Sequence, residues 1–381
     1  MVKYEIIPFG FSINDLYSLS KEPCDIVLSK ESQERIIKSN QLLEKFFSEE
    51  NFSKNISKLK ASMDFAINLN EIEIRATIIS LVYSLSLGYS GVRLQTINKI
   101  LELIRENVLP TTLKDILKNW DLTPYEELAI TNELKSLKGL LVLLYYKTKE
   151  LLKISEVAYA ILIDILRIQD NSWQNPHFWV LKPHLGQLKF YENLTKLLVN
   201  WKPGENKYNP LISKSQIFAI FHQILDFIED VLEIEINSNN NSFYTIIEEE
   251  KVILQENYDD NFLLYSVYYL IISIINIISS LKELIEHNLQ ENIEFFEDNS
   301  FDPNLNYFNS LEILKKKIDQ WENLLAQIFL TICNKIEKNN LQNYSLPTQI
   351  TFNFIEENPF SIKENFHSLL ERIEKEVGEL F

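Results

Sequence analysis

The chain has 381 residues and a mass of 44.9 kDa, and its 46% hydrophobic content supports a large core and excludes global disorder. A formal charge of −17 excludes an electrostatic nucleic-acid groove and disfavours docking on anionic membranes, because both need clustered Lys and Arg. Cys24 and Cys333 have neither metal-ligand spacing nor a disulfide framework, and no charged-then-apolar leader opens the sequence, so a cytoplasmic location is expected.

Helical periodicity dominates. After a short strand at 4–8, the spacing predicts a helix over 29–47, with Ile36, Ile37, Leu42, Leu43 and Phe46 on its apolar side. Residues 71–87 and 92–108 read as a helix pair around a turn that holds two of the chain's seven glycines. The stretch 124–170 is apolar at helical spacing and reads as one very long helix. Pro183 opens another that runs to Trp201, as proline does in a first turn. Further helices are predicted at 213–235, 259–287, 307–339 and 361–380. Strand signals recur at 245–255, as a hairpin, and at 348–354. Loops are expected at 201–210 and 237–242.

The fold class is therefore all-α: a bundle of long antiparallel helices with a few short N-terminal and hairpin strands. Residues 1–125 form an N-terminal helical region with the glycine turn. Residues 126–381 form the long-helix bundle, the two integrated in one domain. Residues 262–281 carry no charge and meet the length of a membrane span, but three tyrosines, three serines and Asn276 favour a helix buried on all sides by its neighbours.

The turn reads Gly88-Tyr89-Ser90-Gly91-Val92-Arg93. Glycines clustered in a glycine-poor chain mark a backbone that needs positive φ or close approach. The block resembles the Gly-Tyr/His-Ser-Gly-Val-Arg signature of the aromatic amino acid ammonia-lyases and aminomutases. Four further segments are similar to that family in its order: 11–47; Leu128-Ala129-Ile130-Thr131-Asn132-Glu133; Leu181-Lys182-Pro183-His184-Leu185-Gly186-Gln187; and Val231-Leu232-Glu233-Ile234-Glu235-Ile236-Asn237. The resemblance implies the family's helical fold and a homo-oligomer, a tetramer first and a dimer second.

The departures bear on chemistry. Family members cyclise an internal Ala-Ser-Gly into an electrophilic methylideneimidazolone, and no Ala-Ser-Gly occurs here. No glycine lies between Gly10 and Gly88, where the family's catalytic tyrosine loop falls, or between Gly91 and Gly139, where the cofactor loop falls. The family's substrate-carboxylate loop and its late Gln-Glu-Asp motif have no counterpart either. Each loss is a loop that supplies chemistry, while each surviving segment is a bundle helix or its cap. No cofactor and no metal are expected, and the standard lyase or mutase reaction is not.

Two classes of function follow. One is a repurposed, cofactor-free enzyme that cyclises, isomerises or eliminates from a small aromatic or amino-acid-derived metabolite. The other is a catalytically silent scaffold or partner subunit. Carried over by resemblance, Met63, Tyr89, Asn132 and Gln187 would line a remnant ligand cavity, with packing as the plainer role for each. His184, Gln187 and Tyr191 share one helix face, which suits His184 and Tyr191 to acid–base work; the plainer reading is that His184 caps the helix. Gly88, Gly91, Arg93 and Gly186 read as structural, Arg93 as an ion-pair partner that fixes the turn. His222 and Asp226, followed by Glu229, Asp230 and Glu233, read as a solvated acidic face. No membrane and no nucleic-acid partner is expected.

Overall fold

The computed structural model describes residues 2–47, 69–107, 109, 120–131, 133–169, 172–181, 183–206, 210–239, 243–254, 261–289 and 307–381. The fold is all-α with a few short strands, as the periodicity predicts. In chain order the elements are β1 (Val2–Ile6), α1 (Ile13–Lys21), β2 (Cys24–Leu28), α2 (Lys30–Phe47), α3 (Glu71–Ser86), α4 (Leu94–Arg105), α5 (Pro124–Ile130) and α6 (Glu133–Ile165). There follow α7 (Pro176–Leu181), α8 (Leu185–Leu197), α9 (Pro210–Ile236), β3 (Phe243–Ile246), β4 (Lys251–Leu254), α10 (Asn261–Leu289), α11 (Tyr307–Lys335), α12 (Leu346–Glu357) and α13 (Phe366–Val377). Two compact units are formed, Met1–Leu144 with Glu229–Tyr265, and Tyr145–Ile228 with Ser266–Phe381.

In the first unit β1 and β2 pair in parallel from Val2↔Cys24 to Ile6↔Leu28, with α1 as the crossover. Ser12 and Asp15 form a reciprocal capping box at the start of α1, and Asn70 and Glu73 form one at the start of α3. Arg75, 2% exposed, ties this layer together. Its guanidinium donates to the Ser20 carbonyl (2.9 Å), to Glu71 (2.6 Å) and to Asn107 (2.8 Å). Buried Lys138 on α6 donates to the carbonyls of Glu235 and Ser238, capping the end of α9 as cations do at a helix C-terminus.

In the second unit Trp321 of α11 is wholly buried, stacks on Phe221 of α9 (centroids 5.8 Å apart) and donates its indole N–H to Ser155 of α6 (2.9 Å). Tyr159 of α6, Phe190 of α8 and Phe218 of α9 form an aromatic knot with centroids 5.1–5.6 Å apart.

Three expectations are corrected. Residues 348–354 lie in α12 and are not a strand. Thr348, Thr351, Phe352 and Ile355 are buried at i, i+3, i+4 and i+7, a helical spacing that their β-branched and aromatic character masks, and Pro347 sits in the first turn. The single helix expected over 124–170 is two: α5 ends at Ile130, and α6 stops at Ile165, shortly before Arg167 takes φ 48°. Helix α10 is long and apolar enough to cross a membrane, yet it is not buried on all sides. Phe262, Tyr265, Tyr269 and Ile272 lie exposed at spacings of three and four.

Helices α3 and α6 meet at Gly139, where an added Cβ would lie 2.3 Å from the Ala76 carbonyl oxygen. Gly139→Val forces the two backbones apart. We expect a loss of about 2–3 kcal/mol, read as a lower denaturant midpoint at unchanged m-value; an unshifted midpoint would refute this close approach.

Candidate functional site

The glycine turn is built by its conformations and its neighbours. Gly88 and Gly91 take φ of +76° and +66°, which a side chain rarely tolerates. Their flanks are also occupied, since a Cβ at 88 would lie 2.6 Å from Arg35 Cβ and one at 91 would lie 2.6 Å from Leu43 Cδ2. Ser39 Oγ accepts the Gly91 N–H (2.9 Å) and shares a 2.7 Å hydrogen bond with Thr245 Oγ1. Asn40 donates to the Gly91 carbonyl (2.9 Å), and the Thr245 N–H donates to the Tyr89 carbonyl (3.0 Å). The Gly91 N–H and carbonyl are thus satisfied by short side chains of α2, and the Tyr89 carbonyl by the hairpin. Tyr89 is half-buried. Its ring lies 6.1 Å from that of Phe9, with the Arg35 guanidinium 5.3 Å from Phe9 and 5.5 Å from Tyr89.

Arg93 closes the turn onto α5. Its Nε and terminal nitrogen donate to the two oxygens of Glu126 at 3.0 and 2.7 Å, the fork geometry that suits guanidinium to carboxylate. Its backbone N–H (3.1 Å), Thr96 Oγ1 (2.7 Å) and the Thr123 capping groups add further donors to the same carboxylate. Glu126 is fully buried. Burial alone pushes its carboxyl up, but hydrogen bonds from Arg93, Thr123 and Thr96 outweigh that and hold it below the ordinary carboxylate value.

The second unit holds the remaining polar groups of interest. Gly186 sets α8 against α9, because a Cβ there would lie 1.9 Å from the Ala219 carbonyl. Gln187 and Tyr191 are buried and bonded to each other, Gln187 Nε2 donating to the Tyr191 hydroxyl at 2.7 Å. His184 is the N-cap residue of α8 and is exposed, with no capping hydrogen bond from its side chain. The structure thus brings Gln187 and Tyr191 together and leaves His184 at the surface. Burial pushes the Tyr159 phenol well above its usual range, with the neighbouring Tyr191 adding to it. Tyr89 belongs to the first unit and Gln187 to the second. Met63 and Asn132 lie outside the described residues.

The sequence reading missed a buried cluster. His222 does not lie on a solvated acidic face: it is 4% exposed, and its Nε2 meets Glu156 Oε1 at 2.6 Å. Asn193 donates to the other Glu156 oxygen, also at 2.6 Å. The signal was present at both ends. Glu156 is an acid inside the apolar run Ile154 to Ile163, and His222 follows Phe218 and Phe221 and precedes Leu225, all buried. Neither thiol is poised for nucleophilic work, since burial pushes Cys24 up and Cys333 to about 12. Among the described residues no three His, Cys, Asp or Glu side chains gather in a way that could hold a metal ion.

The family model for aromatic amino acid lyases matches residues 111–295. The histidine ammonia-lyase of Clostridium tetani is 25% identical over 213 residues, covering 43% of this chain and 41% of the relative. That of Caldanaerobacter subterraneus is 22% identical over 309 residues, covering 62% and 61%. The chain is similar to the aromatic amino acid lyase family over residues 111–295. Its fold agrees: tyrosine aminomutase from Streptomyces globisporus superposes with a TM-score of 0.80 over 100% of both chains at 12% identity, a likeness of fold alone. The chain spans about two-fifths to three-fifths of the length of those two histidine ammonia-lyases.

Glu126 provides the test of the turn. Its folded value lies below that of the unfolded chain, so the ionised network adds stability at neutral pH, and that contribution is lost as pH falls from about 4.5 through the folded value. Glu126→Gln is expected to cost about 1–3 kcal/mol at pH 7. The gap between wild type and variant should close in acid, measured by denaturant melts across pH. A gap that persists unchanged at low pH would mean that the charge is not what holds the turn.

Proposed function

We propose that this chain is a divergent ammonia-lyase-like protein that works without the methylideneimidazolone electrophile, as a repurposed, cofactor-independent cytoplasmic enzyme of specialised metabolism. Its substrate would be a small aromatic or amino-acid-derived metabolite, and its reaction a cyclisation, isomerisation or elimination. One observation carries this reading: the 381 residues contain no Ala-Ser-Gly, so they do not fit that group. Standard ammonia elimination needs a strong electrophile, and no protein side chain substitutes for one. Fold does not transfer activity, and the chain spans only part of its ammonia-lyase relatives.

The ligand contacts in this proposal are Met63 and Tyr89 for an apolar part and Asn132 and Gln187 for a polar group, the usual mix of a small-molecule pocket. His184 and Tyr191 are the acid–base groups it offers. Tyr191 is the better supported of the two, being buried and positioned by Gln187.

A second reading, a catalytically silent scaffold or partner subunit, draws on the exposed row Phe262, Tyr265, Tyr269 and Ile272, which a homo-oligomer would cover.

Intact mass separates the electrophile-free reading from the ancestral one. We expect the full sequence mass, without the loss of two waters that cyclisation causes, and any activity should survive borohydride and cyanide. A mass short by two waters, or inactivation by either reagent, would overturn it. Native mass spectrometry of the purified protein should retain a co-purified small molecule that Asn132→Ala releases without lowering the melting temperature. Absence of any ligand, together with full stability of the variant, would favour the silent scaffold.

For assembly, light scattering at micromolar concentration should give a tetramer, or failing that a dimer. The double variant Tyr269→Glu, Ile272→Glu should shift it to a smaller species. A wild-type monomer would remove the support for the scaffold reading.

A further inference from the structure

The turn between β1 and α1 strains a residue where a neighbour would not be strained. Phe9 takes φ of +60°, in the left-handed region. Gly10, next to it, does not, and a Cβ on Gly10 would meet only ordinary contacts at 3.9–4.0 Å. A bulky side chain in that region costs free energy that glycine at the same position does not. Core burial does not offset the cost, because Phe9 is 50% exposed. Strain of this kind, held at the surface, gathers at ligand clamps.

Phe9 faces a guanidinium. The Phe9 ring, the Tyr89 ring and the Arg35 guanidinium stand 5.3–6.1 Å from one another, the two rings tilted by 59°. Each corner of this triangle comes from a different element of the first unit: the β1–α1 turn, the glycine turn and α2. Gly88 allows the approach, since a Cβ there would lie 2.6 Å from Arg35 Cβ. Arg35 directs its Nε–H to the Leu87 carbonyl (3.1 Å). Its two terminal nitrogens donate no hydrogen bond among the described residues. Glu248, in the turn between β3 and β4, stands 3.5 Å from Nη1 as a loose ion pair and is 68% exposed. With Nε committed to Leu87, the remaining end of the guanidinium carries two parallel N–H groups, the fork that fits a carboxylate. Arg35 is thus oriented by one hydrogen bond and two rings, and its charge is only loosely matched.

We propose that Arg35, Phe9 and Tyr89 form a surface site for a small carboxylic acid with an aromatic or short apolar tail. The guanidinium takes the carboxylate, the tail lies against the two rings, and Glu248 is the internal competitor that the ligand displaces. A chain of net charge −17 repels anions as a whole, so a bare anion gains little here and the tail is what selects. Tyr89 is among the contacts proposed above, but this site needs neither Gln187 nor any reaction and stands apart from that reading.

Phenylacetate is the probe, titrated into the full chain by isothermal calorimetry, with acetate and 2-phenylethanol as the two halves of its chemistry. It should bind about tenfold tighter than either, because only phenylacetate engages both the cation and the rings. Arg35→Gln should weaken it about tenfold. Glu248→Gln should tighten it about twofold by removing the competing carboxylate, a gain that a merely structural ion pair would not give. Phe9→Gly should weaken it about threefold without lowering the denaturant midpoint, because glycine relieves the left-handed strain. Arg35→Gln also gives up the Leu87 hydrogen bond, so the other two variants decide the matter if it fails to fold. No binding of phenylacetate, or acetate binding as tightly, would overturn the site. So would an affinity unchanged in both Glu248→Gln and Phe9→Gly. A Phe9→Gly that keeps wild-type affinity and unfolds at lower denaturant would also overturn it, by making Phe9 a packing residue.

Discussion

The Glu126 carboxylate is the point on which the first unit's polar architecture closes. It accepts from the Arg93 side chain and backbone, from Thr96 and from Thr123, and it does so with no exposure to water. A buried charge short of partners would be destabilising; a fully coordinated one forces its donors into a single arrangement. Here the donors come from both sides of α4's start and from α5's cap, so the carboxylate fixes where the glycine turn ends. The positive φ of Gly88 and Gly91 then lets the chain enter that fixed end without colliding with Arg35 and Leu43 of α2.

The same constraint explains how so few glycines serve so long a chain. Gly139 and Gly186 are not turns. They are places where one helix backbone lies against another, a carbonyl standing where a Cβ would be. With the turn's two glycines and Gly204, five of the seven sit where a Cβ would come within 3.0 Å of another atom. Long apolar helices with β-branched faces pack at side-chain distance by default; the exceptions are bought with glycine, and they locate the closest approaches in each unit.

Much of this was legible. Helical periodicity placed the long helices to within a few residues because each buries one continuous stripe, and the glycine cluster with Arg93 announced a special turn. What failed had physical causes. Residues 348–354 look like a strand because threonine, isoleucine and phenylalanine favour sheets, yet Thr348 and Thr351 bury their hydroxyls in a helix, Thr348 bonding Asp164 at 2.7 Å. Strand β2 escaped notice because Cys24–Leu28 is too short to show alternation and gains its partner only through the α1 crossover. The uncharged run in α10 concealed an exposed row, since a sequence that is apolar on every side cannot say which side faces water. The Glu156–His222 pair was hidden for a further reason: its partners are 66 residues apart, and a lone histidine near acids reads as solvent-facing until the opposing helix is known.

The two buried carboxylates also separate structure from chemistry. Glu126 shares its charge with an always-charged guanidinium and with hydrogen-bond donors that cannot accept a proton, so it titrates alone and serves to hold geometry. Glu156 meets an imidazole, a group that can both give and take a proton near neutrality, and an amide whose orientation another segment sets. Only the second arrangement sets an acid against a base.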